Sequence, residues 1–278
     1  MNSIVTSSTG VVGGIILVLM LGAAAGTAFS RSMTSSKVLS DNIMEPHNGA
    51  TSAKVDIDTA EGNLTIDQLN GDEQTLASGI LQYPEGQSQP TRTLNMNNSQ
   101  TTLTLKNGIS GRPWFHLPWA ACNAATEWQI HLNPTVSSDI TAHSGGGNVR
   151  LDLAGMTVTH VSADTRGGNV NVVLPDNAAN LNVNATSGAG DVTVEFGGNL
   201  TGSSTVIAKS GAGNVLVNLP SGIAARIHVT SGLGKVIVDS QFNKIDNKTY
   251  QSPDYDSAAN KIEITLNSGA CNATVNTN

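Results

Sequence analysis

The sequence predicts an all-β protein, a short stacked β-solenoid with coils of about 22 residues and two strands each, behind an N-terminal membrane helix or signal segment. Three observations predict it. A glycine-rich motif recurs at nearly constant spacing, β-branched residues alternate with polar residues around each copy, and a long uncharged stretch stands near the N-terminus. A disordered chain has no reason to keep such an alternation, so the sequence indicates a folded protein despite its abundant Gly, Asn, Ser and Thr.

The repeated motif begins with Ser or Thr, continues through glycines to Asn, Asp or Lys, and ends with Val. Its five regular copies occupy 144–149, 165–170, 187–192, 210–215 and 231–236. The final valines follow one another at steps of 21, 22, 23 and 21 residues. A fixed period of this length is typical of proteins that stack one supersecondary unit per repeat.

Apolar residues hold fixed positions on both sides of the motif. After it stand Val149/Leu151, Val170/Val172, Val192/Val194, Val215/Val217 and Val236/Val238, and before it stand Ile140/Ala142, Val161/Ala163, Val183/Ala185, Val206/Ala208 and Ile227/Val229. Polar residues fill most of the positions between them. This period of two predicts strands with one buried and one solvated face.

The glycines of the motif predict the corner between the two strands of a coil. A turn of three or four residues needs positive φ angles, which Gly adopts readily and Asn or Asp tolerates better than other residues do. Pro175 and Pro220 mark the opposite corner, because proline cannot donate a hydrogen bond to a strand ladder. A phosphate-binding role for the glycines is disfavoured, since no copy opens onto a helical pattern.

Two irregular copies of the motif lie at 55–66 and 264–275, where Cys271 replaces the second glycine. Terminal repeats of a stacked protein cover its open strand edges, so we interpret these copies as caps. The predicted organisation is a membrane anchor or signal peptide at 1–30, a polar linker at 31–50 and N-terminal strands with a cap at 51–110. An aromatic loop at 111–125, solenoid repeats at 126–240 and C-terminal strands with a cap at 241–278 complete it.

The N-terminal stretch from Val11 to Phe29 carries no charge, and as a helix of 19 residues it would be about 28 Å long, enough to cross a bilayer. Small residues Gly26 and Ala28 also fit a signal-peptidase site, but no basic region precedes Val11. We expect a single-pass protein of the cell membrane that contacts the lipid bilayer through this stretch. The β domain is expected to be extracytoplasmic, or secreted if the N-terminus is cleaved.

Composition and charge bear on the partners. The net charge is −7 and no cluster of Lys and Arg is present, so nucleic acid is not expected as a partner. No Cys-x-x-Cys motif or His pair at ligand spacing occurs, and no metal or cofactor is predicted. The expected partners, besides the bilayer, are another envelope protein or a glycan, and the sequence leaves homo-oligomerisation open.

Two further features are candidates for a structural or binding role. Cys122 and Cys271 are the only cysteines, and they form either one disulfide in an oxidising compartment or two separate buried thiols. Trp114 and Trp119 lie in the aromatic loop, where they either contact a partner or seal the seam between the N-terminal strands and the solenoid.

The chain resembles a known family in the order of several motifs. They are Trp128-x-Ile130-x-Leu132-Asn133-Pro134, Ile140-x-Ala142 before the first regular motif, Leu151-Asp152-Leu153-Ala154-Gly155-Met156, and Tyr255-Asp256-x-Ala258 before Ile262-x-Ile264. This order is similar to the toast-rack domains, DUF2154-type in the N-terminal part and DUF4097-type adhesin-like beyond it, over about residues 50–278. The resemblance implies a place behind membrane segments in cell-envelope proteins, an adhesin-like or envelope-stress accessory role, and no catalytic residues.

We therefore predict a non-enzymatic extracytoplasmic envelope protein that acts as an adhesin-like, scaffold or interaction module. An accessory module of an envelope-stress or other membrane protein system is the alternative. A carbohydrate-active β-helix enzyme is a distant one, for which Asp152 and Glu195 are the only candidates, two coils apart on an outward column. With Val173 between them, they are interpreted as solvated surface carboxylates, and no catalytic residue is predicted.

Overall fold

The computed structural model describes residues 37–71, 74–85, 87–107 and 126–278. The predicted anchor or signal segment at 1–30 and the aromatic loop at 111–125 lie outside these ranges. Within them the chain forms strands and turns and no helix, which confirms the predicted all-β class. Accordingly, no helix in the described part is long and apolar enough to cross a membrane.

The described residues form 23 strands. The first twelve are β1 (Val38–Pro46), β2 (Ser52–Asp58), β3 (Asn63–Gln68), β4 (Thr75–Pro84), β5 (Thr91–Asn97), β6 (Gln100–Lys106), β7 (Glu127–Leu132), β8 (Ser137–Ser144), β9 (Val149–Asp152), β10 (Val158–Thr165), β11 (Val170–Val173) and β12 (Asn177–Ala179). The others are β13 (Asn182–Ser187), β14 (Val192–Glu195), β15 (Asn199–Thr201), β16 (Ser203–Ser210), β17 (Val215–Leu219), β18 (Ala224–Ser231), β19 (Val236–Val238), β20 (Asn243–Lys244), β21 (Thr249–Gln251), β22 (Lys261–Ser268) and β23 (Ala273–Thr277).

These strands form two large sheets and one small sheet. The ten-stranded sheet has the order β1-β4-β7-β3-β9-β11-β14-β17-β23-β19. The eleven-stranded sheet has the order β20-β21-β18-β22-β16-β13-β10-β8-β2-β6-β5, and β12 pairs with β15 in the small sheet. Each coil places one strand in each large sheet, and we call such a pair of strands a rung.

The regular copies of the motif stack in parallel and in register. Val161 of β10 lies between Ile140 of β8 and Val183 of β13, and Val170 of β11 lies between Val149 and Val192. The side chains of the predicted inward columns form the core between the two sheets, with at most 2% of their surface exposed through the first four copies. Val236 and Val238 of the fifth copy are more exposed, Val236 at 38%, because no described strand lies beyond β19 in the ten-stranded sheet.

The prediction that the first and last copies are caps is wrong. The last copy, β22 and β23, lies inside the stack, between the rung of β16 and β17 and the rung of β18 and β19. The first copy, β2 and β3, is likewise internal, because β6 and β7 pair with its outer side. The antiparallel strands β1, β4 and β5 extend one end, and β20 and β21 extend the other.

Two further differences concern the predicted boundaries. Residues 38–46, predicted as part of a polar linker, form β1, which pairs antiparallel with β4 and buries Ile43 at 3% exposure. Only part of this strand faces the core, so its sequence shows little apolar alternation. In addition, the far corner of two coils carries a third short strand, β12 or β15, where two strands per coil were expected.

Candidate interaction surfaces

The glycine corner contains the repeated motifs, and its glycines are required for a reason other than the one predicted. Of the motif glycines in the described chain, only Gly62 has a positive φ, and no motif Asn does. At Gly147, Gly168, Gly190 and Gly213, an added Cβ would overlap the carbonyl oxygen of the equivalent glycine in the preceding rung. The last glycine of each of these motifs therefore permits close stacking of the rungs.

Two ladders of side chains join these corners. The buried hydroxyls of Ser144, Thr165, Ser187 and Ser210 each donate to the preceding glycine carbonyl at 2.7–2.8 Å and accept the N–H of their own motif glycine at 2.7–3.3 Å. A side-chain oxygen of Asn63, Asn148, Asn169, Asp191, Asn214 or Asn272 accepts the next rung's backbone N–H at 2.7–3.2 Å. The motif Ser, Gly and Asn thus fix the spacing of the stack, which classes the corner as structural.

The outer face of the eleven-stranded sheet is an extended, regular surface. Its strands carry three outward rows in register. The first row is Lys54, Asp139, His160, Asn182, Thr205, Glu263 and Arg226; the middle row is Asp56, Thr141, Ser162, Asn184, Ile207, Thr265 and His228; the third row is Asp58, His143, Asp164, Thr186, Lys209, Asn267 and Thr230. We call this surface the polar face.

Three pairs of charged groups lie across rungs on the polar face. His143 contacts the carboxylate of Asp164, and Nε2 of His228 lies 3.5 Å from Glu263. Lys106 extends the third row and lies 3.5 Å from Asp56. Between these pairs the middle row offers the short hydroxyl and amide groups of Thr141, Ser162, Asn184 and Thr265, interrupted by Ile207, at the strand spacing of about 4.8 Å. The face is therefore a regular array consisting mainly of hydrogen-bonding groups.

A cleft of about 380 Å³ opens at the far corner beside the inserted rung. Its walls are Gly198, Asn199 and Leu200 of the β15 region, residues 220–224, and the turn that carries Asp254, Ala258 and Asn260. The Oδ1 of Asn260 accepts a hydrogen bond from the N–H of Gly202 at 2.8 Å. The cleft forms because the chain climbs two rungs between β17 and β18 and leaves space for β22.

Of the predicted site residues, only Cys271 lies in the described part of the chain. It occupies the glycine corner of the inserted rung, half-buried, with its Sγ 3.1 Å from the carbonyl oxygen of Ala212. Cys122, Trp114 and Trp119 lie outside the described residues. The described residues on either side of their segment lie at the glycine corner. Asn107 donates to the carbonyl oxygens of Asp58 and Thr59 at 2.9 and 3.2 Å, and the carbonyl oxygen of Thr126 accepts from the N–H of Asn63 at 2.9 Å.

Asp152 and Glu195 lie on the opposite side, on the outer face of the ten-stranded sheet. Both pair in register with Val173, so they are two strands apart as the sequence predicts. Asp152 lies 3.8 Å from Arg150, and its side chain is 42% exposed. A solvated carboxylate beside an arginine is an ordinary surface arrangement.

Comparison with known proteins places this architecture in a family. The family model described as the N-terminal domain of toast_rack, DUF2154, matches residues 32–195. The chain belongs to the toast-rack family. This match confirms the resemblance seen in the sequence, and the toast-rack stack continues past it through β16 to β23.

Solved structures agree with this assignment at the level of the fold. A proposed cell adhesion protein from Clostridium sporogenes ATCC 15579 is 21% identical with a TM-score of 0.60, and the match covers 87% of this chain and 100% of that one. A proposed adhesin from Bacteroides fragilis NCTC 9343 is 12% identical over 86% of this chain and 97% of that one. Its TM-score of 0.31 is too low to support a shared fold. No curated protein matches the sequence.

Proposed function

We propose that this toast-rack protein is a non-enzymatic, adhesin-like interaction module of the cell envelope whose body is a short β-solenoid. In this proposal the stretch from Val11 to Phe29 holds the protein at the cell membrane as a single span, or is cleaved as a signal peptide on secretion. The β domain then lies outside the cytoplasm. Family membership and the description of the Clostridium sporogenes relative as a cell adhesion protein support the proposal.

The observation that carries it is the polar face. Hydrogen-bonding side chains repeat there at about 4.8 Å on a surface held by parallel ladders on every side. Such a surface needs little reorganisation on binding, so little side-chain and loop entropy is lost. A flat, extended ligand rich in hydroxyls, such as a glycan, suits an array of Ser, Thr and Asn groups flanked by paired charges.

The experiment compares two matched surface variants in an adhesion assay on a panel of immobilised glycans. Ser162→Lys with Asn184→Lys places two long cations side by side on the polar face, because these residues pair in register. Asn171→Lys with Thr193→Lys places the same pair on the outer face of the ten-stranded sheet. We expect the first variant to lose binding and the second to retain it, with similar melting temperatures. Equal binding by the two variants would contradict the proposal.

The aromatic loop supplies a second contact in this proposal. The described residues on either side of it, Asn107 and Thr126, lie at the glycine corner next to the first copy, and Trp114 and Trp119 are proposed to contact a protein partner there. Replacing both tryptophans with Ser should abolish co-purification of that partner and leave the melting temperature within a few degrees. If the tryptophans instead fill a buried seam, the double variant should lose several kcal/mol, since truncating one buried Trp costs about 3–5 kcal/mol.

A further inference from the structure

The small sheet at the far corner has an open edge. It consists of β12 and β15, and no other described strand pairs with β15. A regular coil after β17 would place a third strand there. Instead residues 220–224 lead the chain past the inserted rung, and β22 is entered from the turn that carries Asp254 and Asn260. The cleft of about 380 Å³ therefore lies beside β15, where a third strand of the small sheet would pair.

The backbone of β15 has open hydrogen-bonding groups on the side of the cleft. The N–H of Asn199 donates to the carbonyl of Asp176 at 2.7 Å. The carbonyl of Thr201 accepts from the N–H of Asn180 at 3.1 Å, so Asn199 and Thr201 both bond towards β12. Hydrogen bonding alternates along a strand, so the N–H and carbonyl of Leu200 point away from β12. Within the described part of the chain these two groups have no partner.

The opposite wall of the cleft carries polar side chains that are available to a ligand. The turn is held by its backbone, because the carbonyl of Asp254 accepts from the N–H groups of Ser257 and Ala258 at 3.1 and 2.9 Å. The carboxylate of Asp254 has no partner among the described residues. Asn260 uses its Oδ1 on the N–H of Gly202 at 2.8 Å, which leaves its amide N–H groups as donors. One charged acceptor and one amide donor therefore lie on this wall.

Aliphatic residues supply the apolar part of the lining. Leu200 and Ile223 are half-buried and pack against the core, and Ala224 beside them is 4% exposed. Sites for small molecules commonly combine such an apolar surface with a few polar groups that fix the orientation of the ligand, in volumes of about 300–1,000 Å³. The cleft meets both conditions.

We propose that this cleft is a binding site for one hexose unit of a neutral glycan. The C–H groups of the sugar ring pack on Leu200 and Ile223. Sugar hydroxyls donate to the carboxylate of Asp254, a charge-assisted hydrogen bond, and to the carbonyl of Leu200. Other sugar oxygens accept from the N–H of Leu200 and from the amide of Asn260. This site is separate from the polar face and does not depend on it.

The lining disfavours two other classes of ligand. No Lys or Arg is among the described residues that line the cleft, and Asp254 repels anions, so phosphates and acidic sugars are poorly suited. An added peptide strand gains its affinity from a run of main-chain hydrogen bonds. The three residues of β15 offer only those of Leu200, and the following N–H, that of Gly202, is already bonded to Asn260.

Amide hydrogen exchange of the full-length protein in detergent, followed by mass spectrometry, tests the location. The probes are the methyl glycosides of glucose, galactose, mannose and N-acetylglucosamine, with N-acetylneuraminic acid and trialanine for comparison. The amide of Leu200 should exchange rapidly in the free protein. At least one neutral glycoside should slow that exchange, by about tenfold at ten times its dissociation constant. Slowing by N-acetylneuraminic acid or trialanine alone, or by none of the probes, would overturn the proposal.

Isothermal titration calorimetry with the glycoside that protects Leu200 best tests the role of the carboxylate. Asp254→Ala should raise the dissociation constant by at least about tenfold and leave the melting temperature unchanged, since the turn is held through the backbone carbonyl. Glu61→Ala is the matched control, because it removes an exposed carboxylate from a turn at the opposite corner, and its dissociation constant should stay within about twofold. Equal affinities of the two variants would refute the site. Neither experiment involves the polar face, so that result would leave the proposed adhesive role untouched.

Discussion

Replacing Gly168 tests why the motif contains glycine. A Cβ at Gly168 would overlap the carbonyl oxygen of Gly147, which the strand ladders hold on both sides. Overpacking of this kind costs typically 1–3 kcal/mol. The backbone of Gly168, which would carry the Cβ, and the carbonyl of Gly147 both belong to the paired stack and cannot easily move apart. We therefore expect about 3 kcal/mol for Gly168→Ala. At 2–4 °C per kcal/mol for a chain of this size, the melting temperature should fall by about 6–12 °C.

The neighbouring glycine is the matched control. A Cβ at Gly167 would meet its nearest atom, the carbonyl oxygen of Gly146, at 3.7 Å, and Gly167 has no positive φ. Gly167→Ala should therefore be neutral or stabilise the protein by up to about 1 kcal/mol through the unfolded state. Differential scanning calorimetry of the two variants gives the comparison. Equal melting temperatures for both, or better tolerance of Asn than of Ala at position 168, would refute the close-stacking explanation.

The remaining predictions concern the core and the cysteines. Val217→Asp places an unpaired charge at a fully buried position and should cost several kcal/mol by chemical denaturation, whereas Asn218→Asp on the outer surface should be nearly silent. Similar losses for the two would mean that the strand register is wrong. Non-reducing peptide mapping should find Cys122 and Cys271 as separate thiols in the monomer, and an intramolecular bridge would contradict the order of the rungs.

The cysteine prediction follows from distances along the stack. Cys271 lies two residues before β23, and Thr126 immediately precedes β7, six strand spacings or about 29 Å away in the ten-stranded sheet. Cys122 is four residues from Thr126, which limits their Cα separation to about 14 Å. A disulfide permits about 7 Å more between Cα atoms, so we predict the second of the two alternatives that the sequence leaves open, namely separate thiols.

The sequence predicted the body of the fold because one physical constraint acts on every rung. Each inward position must fill the same space between two sheets, so Val, Ile, Leu and Ala recur at the same offset from every motif. The period of the motif gave the coil length for the same reason. These columns agree with the buried positions of the structure from Ile140 to Leu219.

The order of the rungs could not be predicted in this way. An inserted copy and a terminal copy bury the same columns, so the sequence of the last copy is compatible with either position. The position of the last copy depends on two loops. The loop from Leu219 to Ala224 passes over one rung, and a later turn leads the chain back to Lys261 in the space between. Both are short loops whose path depends on tertiary packing rather than on local propensity.

The role of the corner residues in stacking the rungs could not be predicted from the repeat pattern either. Gly with Asn suits a tight turn with positive φ, and that local explanation is sufficient for a single motif. The actual constraint is between rungs, where Gly168 lies against Gly147 and Asn148 accepts the N–H of Asn169 at 2.8 Å. One sequence signal could have suggested it. Ser or Thr stands three residues before the last glycine of every regular motif, as expected for a side chain that bonds both its own rung and the preceding one.

Short-range thiol cross-linking on the polar face tests the inserted rung most directly. Lys209, Asn267 and Thr230 occupy one outward row on β16, β22 and β18, in that order. In a protein with Cys122→Ser and Cys271→Ser, a cross-linker that spans about 5 Å should join the pair Lys209→Cys/Asn267→Cys and should fail to join Lys209→Cys/Thr230→Cys, whose strands are about 9.6 Å apart. Stacking in chain order would give the opposite result, with efficient cross-linking between positions 209 and 230 and none between 209 and 267.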